Sequence, residues 1–196
     1  MKVLIMAGGK GERLTMGEKP LLSVGGTPMI KKVIDSVKKA SIGEIIVAVS
    51  ENTPETGKFI ESEAVQKMVT AGRGYIEDMR EVIREKNISE PVLVLSSDVP
   101  LITPEILNDV VTTYETSNSP ALAVYTTKDF CEKHGIFKKE LLSPSGINIV
   151  SGAMIMENPD NAQEEEVMIL NRIEVALNVN TIDDIDTLQE YLTESV

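Results

Sequence analysis

The chain has 196 residues, of which 42% are hydrophobic and 26% charged, the balance of a soluble globular protein rather than a disordered one. Its formal net charge of −12 argues against broad binding to nucleic acid or anionic membranes, and no apolar run approaches the roughly 18 residues of a membrane-spanning helix. One cysteine, Cys131, and one histidine, His134, exclude an internal disulfide and a Cys/His zinc site. With no signal-peptide pattern, one cytoplasmic domain over residues 1–196 is expected.

In chain order, Lys2 to Ala7 is a short apolar run, long enough for one buried strand. It runs into Ala7-Gly8-Gly9-Lys10-Gly11-Glu12-Arg13-Leu14, with Lys19-Pro20-Leu21 close behind. Glycines let the backbone turn there and approach a ligand closely. Consecutive N–H groups in such a loop converge on phosphate oxygens, and Lys10, Arg13 and Lys19 add fixed positive charge. A plain tight turn with solvated charges is the alternative, but this density of glycines and cations favours a phosphate cradle. Two other phosphate loops fail on spacing. No start satisfies the P-loop pattern, and the dinucleotide pattern counted from Gly9 meets Leu14 where its third glycine belongs.

Leu21 to Val24 reads as a short extended piece closed by Gly25-Gly26. Thr27-Pro28 then reads as an N-cap and first-turn pair opening a helix to about Ala40, with Met29, Ile30, Val33, Ile34 and Val37 on one face. Glu44 to Val49 is a strand buried on both sides, followed by Ser50-Glu51-Asn52. Thr53-Pro54 caps a helix to about Met68. Ala71-Gly72-Arg73-Gly74 is a second glycine loop, and Tyr75 to Lys86 a helix. Pro91 to Ser96 is the most apolar strand, with Ser97-Asp98-Val99-Pro100 at its carboxyl end. Thr103-Pro104 opens a helix to about Thr116, and Pro120 to Thr126 is a strand. Phe130 to Leu142 is irregular. Ile147 to Val150, Glu166 to Leu170 and Val175 to Asn180 are short strands, and Thr181 to Asp184 opens a last helix with a capping box. Alternating strands and helices give an α/β fold with a mostly parallel sheet covered on both faces, whose ligands sit at the carboxyl ends of the strands.

Asp98 is the carboxylate best placed for chemistry. At a strand's carboxyl end facing phosphates it suits Mg²⁺, which takes few protein ligands; satisfying backbone donors in a turn is the alternative. Asn178 and Asn180 bracket Val179, so alternation puts both on one side of a strand. They either cap the strand end or offer oxygens to a metal, ribose or phosphate. Gly72 to Asp78 is either a plain helix start or a base-reading loop. Gly146 marks a turn where something approaches closely.

The span from Ala7 to Pro20 resembles the signature loop of nucleotidyltransferases with a Rossmann-like fold. Adding Asn52-Thr53-Pro54, Gly72-Arg73-Gly74-Tyr75-Ile76-Glu77-Asp78, Ser96-Ser97-Asp98, Gly146-Ile147-Asn148 and Asn178-Val179-Asn180-Thr181, the chain is similar to the archaeal GTP:adenosylcobinamide-phosphate guanylyltransferases. The Gly72–Asp78 stretch is the most particular of these matches, and Leu14 departs from a frequent methionine. The resemblance implies a homodimer that transfers GMP from GTP to adenosylcobinamide phosphate with Mg²⁺. It implies nucleotide contacts at Gly8, Gly146 and Asn178, to which the reading of the loops adds Ala7, Gly9, Lys10, Gly11, Lys19, Gly74, Asp78 and Ser97 as candidate nucleotide contacts. Catalysis would rest on Lys10, Arg13, Lys19 and Asp98, with the metal on Asp98 and Asn180. Two other readings stay open: a nucleotidyltransferase using a different phosphorylated acceptor, and a non-catalytic nucleotide binder.

Overall fold

The computed structural model describes residues 1–11 and 17–194, so Arg13 lies outside the described residues. Strand β1 (Lys2–Met6) is followed by a single 3-10 turn at Lys19–Leu21 and a small hairpin of β2 (Ser23–Val24) and β3 (Thr27–Pro28). Gly25 and Gly26 both have positive φ, 58° and 79°, the geometry a two-residue hairpin turn requires. Thr27 and Pro28 therefore pair with Val24 and Ser23 instead of starting a helix. Helix α1 (Met29–Ala40) follows directly, and its predicted apolar face is the face it buries.

Next come β4 (Ile45–Ser50), α2 (Pro54–Glu61), β5 (Gln66–Thr70), α3 (Tyr75–Glu85), β6 (Pro91–Ser96) and α4 (Pro104–Thr116). The helix expected to reach Met68 stops at Glu61, and β5 takes its place as an edge strand with little buried surface. β6 and α4 have the expected bounds, and Thr103 caps α4 by accepting from the Ile106 N–H. The chain continues through β7 (Ala121–Thr127), α5 (Lys128–Lys133), β8 (Leu142–Ser151), α6 (Gly152–Glu157), β9 (Glu165–Ile169), α7 (Ile173–Ala176) and α8 (Ile182–Glu194). The segment read as irregular thus begins with one short helix. The piece around Ile147 belongs to a strand of 10 residues. Val175 to Asn180 is not a strand: its first residues close a helical turn, and the rest runs outside any ladder.

Seven strands form one sheet in the order β5-β4-β1-β6-β8-β7-β9. All pairings are parallel except those of β8, which runs antiparallel to both neighbours. Alternation along the central strands sorts the core into two layers. Val3, Ile5, Val47, Leu93 and Leu95 pack with Ile30, Ile34, Ile60 and Ile106 of α1, α2 and α4. Leu4, Ile46, Val92 and Val94 pack with Met79, Ile83 and Ile155 of α3 and α6 on the other face. A third cluster, including Val24, Cys131, Ile136, Leu177, Val179 and Leu188, binds the hairpin, α5 and α8 beside the carboxyl edge. Among the described residues no helix is long and apolar enough to cross a membrane.

Candidate active site

From β1 the chain crosses to β4 and β5 on one side, then returns to β6 on the other. The crevice for a ligand opens at such a reversal, beyond the carboxyl ends of β1 and β6. Three backbone bonds tie the loops there together. Ala7 N donates to Ala48 O at 2.8 Å, Ser97 N to Met6 O at 3.1 Å, and Val179 N to Asp98 O at 2.9 Å. The last of these brings the Asn178–Asn180 segment onto the β6 loop.

The result is an open cleft of about 560 Å³, a size ordinary for small-molecule sites. Gly8, Gly9, Lys10 and Gly11 form one wall, Lys19 the next, and Gly74 and Asp78 the side toward β5. Ser97, Asp98 and Asn180 form the far side. Ala7 is buried behind the loop and supports it. The structure adds Asn52 and Tyr75 to the lining, neither of which was singled out by residue type. Asn52 lies in the loop after β4 that sheet topology had pointed to. Tyr75 opens α3.

Lys19 stands at the centre. Its ammonium donates to Asp98 Oδ2 at 2.6 Å and to Asn180 Oδ1 at 2.9 Å. Glu18, its neighbour, reaches the start of α2. Glu18 Oε1 accepts from Glu55 N at 2.8 Å, and Oε2 accepts from Thr56 N and Thr56 Oγ1, both at 2.6 Å. Thr53, the expected cap, instead accepts from Ser50 N, and the Glu18 carboxylate satisfies two free N–H groups of the first turn of α2. Asn180 is fixed from the other side. Asp184 Oδ2 accepts from Asn180 N and Thr181 N at 2.8 Å, while Asp184 N donates to Thr181 Oγ1 at 3.3 Å, completing the expected capping box.

Asp98 has one carboxylate oxygen on Lys19, and the other, Oδ1, is buried without a hydrogen-bond partner. A buried carboxylate oxygen left unpaired is costly, so this atom suits a cation that arrives with the ligand. The donors on hand, a carboxylate and the Asn180 amide oxygen, are hard oxygens of the kind Mg²⁺ accepts. No cluster of three or more His, Cys, Asp or Glu able to hold a metal occurs among the described residues. The protein's share of such a coordination shell is therefore small, as it is where substrate phosphates supply the rest.

Gly146 approaches this carboxylate on β8. It has φ +81°, and a Cβ there would lie 2.9 Å from Ser96 Cβ and 3.8 Å from Asp98 Oδ1. Its contribution is room for the β6 loop; it does not line the cleft. Gly8 is also a packing position: a Cβ would meet Ser50 Cβ at 3.2 Å, and Ser50 Oγ donates to Gly8 O at 2.7 Å. Asn178 departs from expectation. It does not line the cleft, and its side chain accepts from Lys138 Nζ, so the two asparagines serve different lysines.

Toward β5, Asp78 is 4% exposed and accepts from the Arg73 N–H at 3.1 Å, holding the second glycine loop against α3. Arg73 itself pairs with Glu81 at 2.8 Å. Burial pushes the Tyr75 phenol above the usual tyrosine range, Asn148 hydrogen bonding draws it partly back, and the charge of Asp98 pushes it further up. The residue is 37% exposed as a whole.

The sequence profile of the MobA-like NTP transferase domain matches residues 3–146, which include β1, the glycine loops, Asp98 and Gly146. The chain belongs to this family. The adenosylcobinamide-phosphate guanylyltransferase of Methanocaldococcus jannaschii is 37% identical over 98% of this chain and 97% of its own. A probable molybdenum cofactor guanylyltransferase of Methanosarcina mazei is 21% identical over 98% and 92%. Among solved structures, molybdopterin-guanine dinucleotide biosynthesis protein A of Archaeoglobus fulgidus superposes with TM-score 0.70 at 18% identity, over 99% of this chain and all of that one. That likeness shows the shared fold. The motif resemblance to the cobamide guanylyltransferases is borne out by the first of these relatives.

Proposed function

We propose that the protein is a GTP:adenosylcobinamide-phosphate guanylyltransferase, transferring GMP to the acceptor's phosphate with release of pyrophosphate. The observation that carries this reading is the convergence of Lys19, Asp98 and Asn180 beside a glycine loop, in a chain aligned end to end with an enzyme of that name.

The chemistry fits what the cleft offers. An oxygen of the acceptor phosphate forms a bond to the α-phosphorus of GTP, and the bond from that phosphorus to the bridging oxygen of pyrophosphate breaks. The nucleophile is already an anion, so no side chain has to remove a proton from it. Catalysis then rests on alignment and on neutralising charge. The Gly8–Gly11 backbone and Lys10 receive the triphosphate, and Lys19 offsets the charge that builds on the leaving pyrophosphate. Arg13 belongs to the same loop by sequence and shares this role in our reading. Asp98 and Asn180 would hold a divalent cation such as Mg²⁺, which when bound supplies Lewis-acid stabilisation of the phosphates. Gly74 and Asp78 stand where the base would be read. Ser97 supports Asp98, and Gly146 gives it room. The reading includes a cytoplasmic homodimer built from one domain.

The test is pyrophosphate release from GTP and Mg²⁺ with and without adenosylcobinamide phosphate. Release that depends on this acceptor is the expected result. Release only with a different phosphorylated acceptor would overturn the assignment while keeping the enzyme class. Saturable GTP binding with no pyrophosphate under any condition would make the protein a binder.

A further inference from the structure

We infer that the loop between α5 and β8 is the acceptor side of the site: Lys138 binds the acceptor's phosphate, and Phe137 and Leu141 receive an apolar face of the body that carries it. This rests on the guanylyltransferase reading, which calls for two phosphate compounds side by side.

The Asn178–Asn180 segment holds two lysines, one on each asparagine. Asn180 accepts from Lys19, which faces the nucleotide loop. Asn178 accepts from Lys138, which does not line the nucleotide cleft. The two asparagines are joined, since Asn180 Nδ2 donates to Asn178 O at 3.4 Å. A continuous hydrogen-bonded path therefore runs from Lys138 through both asparagines to Lys19 and Asp98. A second fixed cation on this path, outside the nucleotide's share, matches the second phosphate of the reaction.

Lys138 is held in place by its own loop. Ile136 is 4% exposed, packs in the cluster with Leu177 and Val179, and donates its N–H to Cys131 O at 2.9 Å. Lys128 N donates to Leu141 O at 2.9 Å and closes the loop's base. On this anchored loop Phe137 is 78% exposed and Leu141 80% exposed. Leu142, next in the chain, is 39% exposed. Large apolar side chains left in water beside two adjacent lysines, Lys138 and Lys139, suit an amphipathic ligand: a phosphate monoester on a bulky body with apolar faces.

Two measurements test this. Inorganic phosphate is titrated calorimetrically into GTP-saturated protein, and steady-state kinetics are taken with adenosylcobinamide phosphate. Lys138→Gln should weaken phosphate binding and lower kcat/KM for the acceptor by about 10- to 100-fold, as loss of a charge-assisted contact does. Its GTP affinity should stay within about twofold and its melting temperature near that of the parent. Phe137→Ser with Leu141→Ser should raise KM for the acceptor about tenfold and leave inorganic phosphate binding alone. Unchanged phosphate binding in Lys138→Gln overturns the phosphate assignment, as does an equal loss of GTP affinity, which would put Lys138 on the nucleotide side. If the double variant keeps its acceptor KM but sediments as a smaller species, a second copy covers these residues and the apolar assignment falls. Failure of the underlying reading looks different: the parent protein then ignores adenosylcobinamide phosphate, while the phosphate titration still decides the role of Lys138.

Discussion

Lys19 and Asp98 are 79 positions apart in sequence and 2.6 Å apart in space. Their side chains are 17% and 12% exposed, so the pair is shielded from water while facing the cleft. Removing one partner of a pair in that setting leaves the other poorly compensated. Asp98→Asn keeps size and shape, removes the charge opposite Lys19 and weakens the seat for a cation at Oδ1. Turnover should fall by roughly 10²- to 10⁴-fold, since Lewis-acid stabilisation at a phosphoryl centre is worth several kcal/mol. A purely structural Asp98 predicts the opposite pattern, a lowered melting temperature with normal activity per folded molecule. Turnover and melting measured on the one variant separate these.

Gly8→Ala should weaken GTP binding by about tenfold or more, for a reason different from a methyl group entering the phosphate cradle. The added carbon would crowd the backbone of Val49 and Ser50 at 3.3 Å and press on the Ser50 hydroxyl that holds Gly8 O. The loop has to shift away from β4, so the melting temperature falls by a few degrees as well, in line with a cost of about 1–3 kcal/mol for overpacking. A variant with lost affinity and unchanged melting would return the methyl to the cradle.

Nucleotide choice is the third expectation. If the Gly72–Asp78 loop reads the base, as proposed, a wrong base leaves the loop's polar groups unpaired. GTP should bind at least about 100-fold more tightly than ATP or CTP by calorimetry. Equal affinities for GTP and ATP would remove the guanylyl assignment.

Alkaline pH should destabilise the protein through its tyrosines. Tyr75, Tyr114 and Tyr125 are all raised above the usual value of 10.0, in each case chiefly by burial. Below that value both folded and unfolded chains keep these protons, and nothing is gained or lost. Above it the unfolded chain releases protons that the folded chain retains, so stability falls as pH rises. Urea stability followed from about pH 9 to pH 11 should show the decline, and Tyr75→Phe should make it shallower. An unchanged slope in that variant would mean that Tyr75 ionises as freely as in water.

Local signals carried the expected elements where one rule acted alone. Thr103-Pro104 both opens and caps α4, and the Val92–Leu95 run could only be buried. They misled where two rules competed. Gln66 to Thr70 follows a helix without a glycine or proline break, and the chain turns there through Ala64 at φ 52°. Gly146 reads as a turn entering a short strand, although β8 spans the whole stretch with a register shift opposite β7. Val175 to Asn180 alternates like a strand because Val175, Leu177 and Val179 are buried, in a helical turn and an unpaired segment. In the site, single residue types were legible but their partners were not. Nothing near Glu18 announces that it caps α2, and nothing near Lys138 announces Asn178.

The carboxylate of Glu18 stitches the Lys19 loop to the first turn of α2, an eight-residue helix on the sheet's outer side. So short a helix has little stability of its own and opens more readily than the central strands. When its first turn frays, Glu18 loses its three donors and Lys19 loses its neighbour's anchor, while β1, β4 and β6 stay paired. Heat should therefore switch off GTP turnover several degrees before the sheet unfolds, and reversibly. Activity and circular dichroism followed on one sample through the same temperature ramp check this, and coincident midpoints would mean that α2 holds as long as the sheet does.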